Sequence, residues 1–147
     1  MKNEFTNNAE QVLASVENYI KNYEYPINIR RVCDELSIFD WWNDYLSLSK
    51  LKDMRRFLRE AIKLGYTGYV CFKVGARYCA NGMWAHKKPR REDGYSPDGA
   101  FLYKSFSPDY NYWDVQDDNG DFITNKLSIE YDTIKTIKEL ETKMKEI

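Results

Sequence analysis

Lys52, Arg56, Arg59 and Lys63 are spaced at i, i+4, i+7 and i+11. A helix advances about 100° per residue, so this spacing sets four cations along one strip. A line of fixed positive charge suits a phosphate backbone, because each neutralised phosphate releases counterions. A second basic group, His86, Lys87, Lys88, Arg90 and Arg91, follows in the loop after the second expected strand. It extends the expected contact to an adjacent run of phosphates. The competing reading is local neutralisation. Asp53 and Glu60 flank the strip at helical spacing, and the basic loop has an acidic C-terminal third of its own chain to pair with.

The other candidate surface is aromatic. Phe101, Tyr103, Phe106, Tyr110, Tyr112 and Trp113 fall within thirteen residues. Strand alternation puts Phe101 with Tyr103, and Tyr110 with Tyr112, while Trp113 points the other way. Aromatic platforms for single strands carry basic neighbours. Here the neighbours are Asp98, Asp109, Asp114, Asp117 and Asp118. That favours core packing, or a protein-binding surface anchored by Tyr110, Tyr112, Trp113, Asp114 and Asp117. An acidic, tyrosine-rich surface also imitates nucleic-acid charge. It would suit an inhibitor or adaptor, such as an anti-defence protein, seated in the basic groove of a nucleic-acid enzyme.

Catalytic and metal chemistry find little support. Cys71, Cys79 and His86 are spaced by eight and seven, unlike the close ligand pairs of zinc sites. His86 is the single histidine and has no nucleophile motif around it. Pro108-Asp109 with Glu141-Thr142-Lys143 would match the acidic-lysine set of restriction-type nucleases only on a strand, and Glu141 and Lys143 fall in a helical pattern. No glycine-rich phosphate loop is present. The expectation is a non-enzymatic protein without metal or cofactor.

The elements that must position these residues follow from periodicity. Phe5, Ala9, Val12, Leu13, Val16 and Ile20 predict a helix over 5–23, capped by Asn7 or Asn8 and stopped at Tyr25-Pro26. A shorter helix covers 29–36, and Ser37 to Asp40 turns the chain. Trp41 to Leu48 is expected to be irregular or a helical turn. Ser49 is placed as the cap of a helix over 50–64, with Leu51, Met54, Leu58, Ala61 and Ile62 as its apolar stripe and Gly65 as its left-handed stop. Strands are expected over 66–74, 83–87, 101–106 and 110–116, with a loop over 88–99. Asp117-Asp118-Asn119-Gly120 is a hairpin turn, with 121–124 pairing back. A last helix covers 129–145, its seam Ile134, Ile137, Leu140 and Met144.

Helices followed by antiparallel strands define an α+β domain. Three N-terminal helices and a β-wing over residues 8–88 resemble a winged helix-turn-helix domain. Residues 89–147 add aromatic strands and a helix to the same single domain. The resemblance implies that the helix bearing Lys52 to Lys63 meets nucleic acid. Cys79-Ala80-Asn81-Gly82-Met83-Trp84-Ala85-His86 resembles a block in small proteins of bacterial phage and mobile elements, which implies a host-takeover or regulatory role.

Composition bounds the rest. A chain of 147 residues with 43% apolar and 31% charged residues is sized for one domain. No window is apolar enough to span a membrane and the start holds no leader-like run. Three cysteines suggest a reducing, cytoplasmic setting. Net charge is −1, but it is unevenly spread. Residues 26–92 hold fourteen Lys or Arg against seven Asp or Glu, residues 93–147 hold six against twelve, and residues 1–25 hold two against four. The leading expectation is a nucleic-acid-binding regulator; a protein partner is the alternative. The oligomeric state is not written in the sequence.

Overall fold

In the computed structural model the chain is described over residues 7–40, 45–74, 81–107 and 109–147. It is an α+β protein. Helix α1 spans Ala9–Lys21, and the Asn8 side chain accepts from Gln11 N at 2.9 Å. That caps one of the amide groups a helix start leaves unpaired. Residues 5 and 6 lie outside the described residues. The expected helix over 29–36 is a 3₁₀ turn, Ile29–Arg31, followed by the short α2, Cys33–Leu36.

The next stretch corrects the sequence reading. Ile38–Asp40 is not a turn but strand β2, following a β1 of Ile27–Asn28. Only α1 and α2 therefore precede the first strand of the main sheet, so the expected run of three helices before any strand is interrupted. Residues 41–44 lie outside the described residues, and Tyr45–Leu46 form β3, which pairs with β1. Helix α3 then runs from Leu48 to Lys63, two residues ahead of expectation at its start. Two serines compete for its cap and Ser47 wins, accepting from Lys50 N at 3.1 Å. Gly65 ends the helix at φ +90°, a conformation that costs glycine nothing.

Strands β4 (Val70–Val74), β5 (Gly82–His86), β6 (Phe101–Ser107) and β7 (Tyr110–Gln116) complete a sheet of order β2-β4-β5-β6-β7. β2 lies parallel to β4, and the other pairs are antiparallel. The two strands expected as a wing are thus inner strands of a five-stranded sheet. Residues 121–124 do not form a returning strand. Phe122 makes a single bridge to Gln116, and Ile123–Lys126 form the short α4. The last helix, α5, is Ile137–Met144 rather than 129–145. Thr136 caps it, accepting from Glu139 N at 3.1 Å. Ahead of that cap, Ile134 O accepts from Trp113 N at 2.7 Å, so the backbone there serves the sheet edge instead. No described helix is long and apolar enough to cross a membrane.

The core residues of α1, α3 and α5 cluster with one face of the sheet. Val12 and Val16 of α1, Leu51, Met54, Phe57 and Leu58 of α3, and Leu140 of α5 join Phe72, Met83, Leu102, Trp113 and Val115. Phe57 anchors this layer. Its ring stacks on Trp113 at 5.9 Å and meets Phe72 edge-on at 6.5 Å. Lys104 points into the same layer and is only 7% exposed. Its Nζ donates to Asn111 Oδ1 and lies 5.1 Å from the Phe106 ring and 5.4 Å from the Trp113 ring. Burial, and then Lys135, push this amine down to about 8, while Asp53 opposes the shift.

A lysine that titrates lower in the folded chain makes the fold bind fewer protons than the unfolded chain between about pH 8 and pH 10.5. Its penalty is full below that window and fades as pH rises. Lys104→Met is expected to raise unfolding free energy at pH 7 by about 2 kcal/mol. Denaturant titrations of both proteins should show the gap narrowing from pH 8 to pH 10.

Candidate nucleic-acid interface

α3 buries one stripe and turns the opposite one outward. Lys52, Arg56, Arg59 and Lys63 are all exposed on that outer stripe. Arg59 pairs with Glu17 of α1 at 3.0 Å. Both side chains are about half exposed, so the pair is screened by solvent and weakly held. Among the described residues no ion pair engages Lys52, Arg56 or Lys63. The flanking Asp53 and Glu60 therefore do not neutralise them by direct contact.

The basic loop after β5 divides. Lys87 Nζ lies 5.1 Å from the Tyr66 ring centre. Tyr66 follows Gly65, and its N–H donates to Ala61 O at 2.9 Å, so Lys87 sits beside the C-terminal end of α3. Arg90 goes to the other side of the sheet. Its guanidinium lies 5.4 Å from the Tyr69 ring, and its Nε donates to Gly94 O at 2.8 Å. Arg91 pairs with Asp93 at 2.8 Å. Lys88 is exposed, and its ammonium lies beside Gly99. The structure thus places Lys87 near the C-terminal end of α3 and takes Arg90 to the other side of the sheet. No described ion pair ties the α3 strip to residues 93–147.

His86 does not belong with the loop cations. It is the last residue of β5 and only 5% exposed. Its ring lies between Tyr69 at 5.8 Å and Phe101 at 5.1 Å. Burial pushes it down to about 4, so it is neutral at physiological pH. Its Nδ1 has no hydrogen-bond partner among the described residues. Cys71 lies buried on the same sheet face, and burial pushes its thiol up to about 12. Neither group is set up as a nucleophile or base at neutral pH. Cys79 lies outside the described residues. No group of three or more His, Cys, Asp or Glu among the described residues is arranged to hold a metal.

The residues considered for a protein partner separate by strand parity. Trp113 lies in the core beneath α3, and Tyr110 and Tyr112 lie on the opposite face. Asp114 is buried, accepting from Thr124 Oγ1 and Val115 N, each at 2.8 Å. Burial raises its carboxyl above the usual range. Asp117 organises the turn expected at 117–120. Its Oδ1 accepts from Asn119 N and Asp121 N, and Lys126 stands 2.5 Å from its other oxygen. Lys126 holds that carboxyl below the usual range. Trp113, Asp114 and Asp117 are therefore occupied within the fold. Sequence reasoning missed Tyr131, which joins Tyr110 and Tyr112 from beyond α4. A lone tyrosine in a polar stretch carries no periodic signal.

The comparisons with known proteins assign no family: no protein-family model matches this chain, and neither a curated protein nor a solved structure matches it significantly.

His86 titrates lower in the folded chain than in the unfolded chain, so the fold binds fewer protons between about pH 4 and pH 6.5. Stability is full above this window and falls as pH drops through it. The expected loss is on the order of 2–3 kcal/mol. His86→Phe keeps an aromatic ring and should flatten that slope in denaturant titrations from pH 7 to pH 4.

Proposed function

We propose that the protein is a non-enzymatic nucleic-acid-binding regulator that contacts phosphates through the outer face of α3. The observation that carries this reading is the exposed row Lys52, Arg56, Arg59 and Lys63, of which Arg59 alone has an ion-pair partner among the described residues. Fixed, outward cations on a packed helix contact phosphates without further ordering of the backbone. Lys87, placed by Tyr66 beside the helix end, lengthens the row. Lys88, Arg90 and Arg91 would extend contact only to nucleic acid that passes around the sheet edge.

In this reading α3 takes the part that the recognition helix takes in winged helix-turn-helix domains. The β4–β5 pair, expected as the wing, is instead built into the middle of a five-stranded sheet, so contact would rest on α3. A role in a phage or mobile element fits a small regulator of this kind.

Duplex binding in a mobility-shift assay should be clear at low salt and should fall steeply as salt rises. Arg56→Ala with Lys63→Ala is expected to lower affinity about tenfold or more at low salt. The same pair of changes should reduce the slope of log K against log salt by up to about 2. Absence of binding at low salt, or a double variant with unchanged affinity and slope, would contradict the proposal.

A further inference from the structure

The sheet face turned away from α1, α3 and α5 carries a surface of different chemistry, with α4 packed against part of it through Thr124 and Asp114. Strand β7 is an edge strand, and the chain beyond α4 returns Tyr131 to it. Tyr110 and Tyr131 are 49% and 53% exposed. Their rings stack at 5.9 Å. Tyr112 meets Tyr131 edge-on at 5.5 Å, and Tyr103 meets Tyr112 at 5.6 Å and 61°. The row continues to Trp84, 5.0 Å from Tyr103. A Cβ at Gly82 would stand 2.9 Å from Tyr103 Cε1, so glycine there lets the ring lie on the strand.

The charge around these rings is negative. Asp109 precedes Tyr110, and Glu130 and Asp132 flank Tyr131. Asp109 and Glu130 are exposed and Asp132 is half-buried. Among the described residues no ion pair engages any of the three. Burial, Tyr110 and Asp132 all push the Tyr131 hydroxyl up, in that order. Burial, Tyr103, Asp114 and Tyr131 do the same to Tyr112. Lys104 faces the opposite side, Lys126 is held on Asp117 and Arg90 lies over Tyr69, while Lys73 of β4 shares the tyrosine face by strand parity, across from Gly82.

We propose that the Tyr103–Tyr112–Tyr131–Tyr110 surface docks an arginine- or lysine-bearing segment of a protein partner. Tyrosine faces attract a cation through the ring quadrupole, by about 0.5–1 kcal/mol each at exposed sites. Rings set both parallel and perpendicular offer such faces in more than one direction. The three carboxylates steer a basic segment to the rings and fix its register. Tyrosine is also a residue type that anchors interfaces at small entropic cost. Phosphates would meet the same three carboxylates as like charges, which argues against a nucleic acid here. The inference is independent of the α3 proposal, because it concerns the opposite face and the opposite charge.

The test is titration of the whole protein with an amidated Gly-Arg repeat peptide, followed by calorimetry and by the ring resonances of its tyrosines. A Gly-Glu repeat peptide and a single-stranded oligonucleotide serve as the other arms. The Gly-Arg peptide should shift the Tyr110 and Tyr131 rings saturably. Tyr110→Ala with Tyr131→Ala should weaken it about tenfold or more. Glu130→Gln with Asp132→Asn should weaken it a few-fold and reduce its salt dependence. Arg56→Ala with Lys63→Ala should leave it unchanged. If the alanine pair disturbs the fold, Tyr131→Leu alone keeps apolar area, removes the π face, and should still weaken binding. The proposal is overturned if the peptide leaves the tyrosine rings unmoved, if neither tyrosine variant changes its affinity, or if the oligonucleotide shifts those rings and the peptide does not.

Discussion

The stacking of Phe57 on Trp113 is the contact on which the rest of the arrangement depends. It fastens the middle of α3 to the outer half of the sheet, and Phe72 meets the same ring from the inner half. Burying three aromatic side chains at one junction gives several kcal/mol of apolar stabilisation. It also fixes the rotation of α3. With Phe57, Leu58, Met54 and Ala61 turned inward, Lys52, Arg56, Arg59 and Lys63 have one direction left to face. The outward row of charge is thus a consequence of core packing.

The same contact sorts the sheet. Trp113 belongs to the helix face, so the period of two sends Tyr112 and Asp114 to the other. Across the register, Tyr103 and Trp84 follow them, while Leu102, Ala85 and Met83 stay beneath the helices. The result is that the two sides of the sheet present surfaces that differ in kind. One is a basic helix face, and the other is a tyrosine row bordered by carboxylates. The near-zero net charge is the sum of two surfaces that do not cancel by contact among the described ion pairs.

Long periodic elements were legible from the residues alone. The stripes of α1 and α3 run for several turns, and the β6–β7 hairpin announces itself by alternation and by its turn residues. What escaped was decided by partners distant in sequence. β2 is three residues long and exists because β4 lies alongside it. Nothing in Ile38-Phe39-Asp40 marks a parallel strand. The start of α5 moved because the backbone at Ile134 bonds Trp113, which local propensity does not register. Ser47 took the cap that Ser49 was expected to supply because Leu48 already has a place in the helix. On the surfaces, the α3 row was readable as helical spacing, whereas the tyrosine row needed Tyr131, eighteen residues beyond Trp113, to be brought back by the chain.

The central claim is that the two faces of this sheet-and-helix body recognise different things. Backbone amide resonances recorded while a short DNA duplex is added at low salt test it most directly. The account predicts shifts or broadening along residues 52–63 and at Lys87, with the amides of Tyr110, Tyr112 and Tyr131 unmoved. Shifts confined to β6, β7 and Tyr131, with α3 silent, would contradict it.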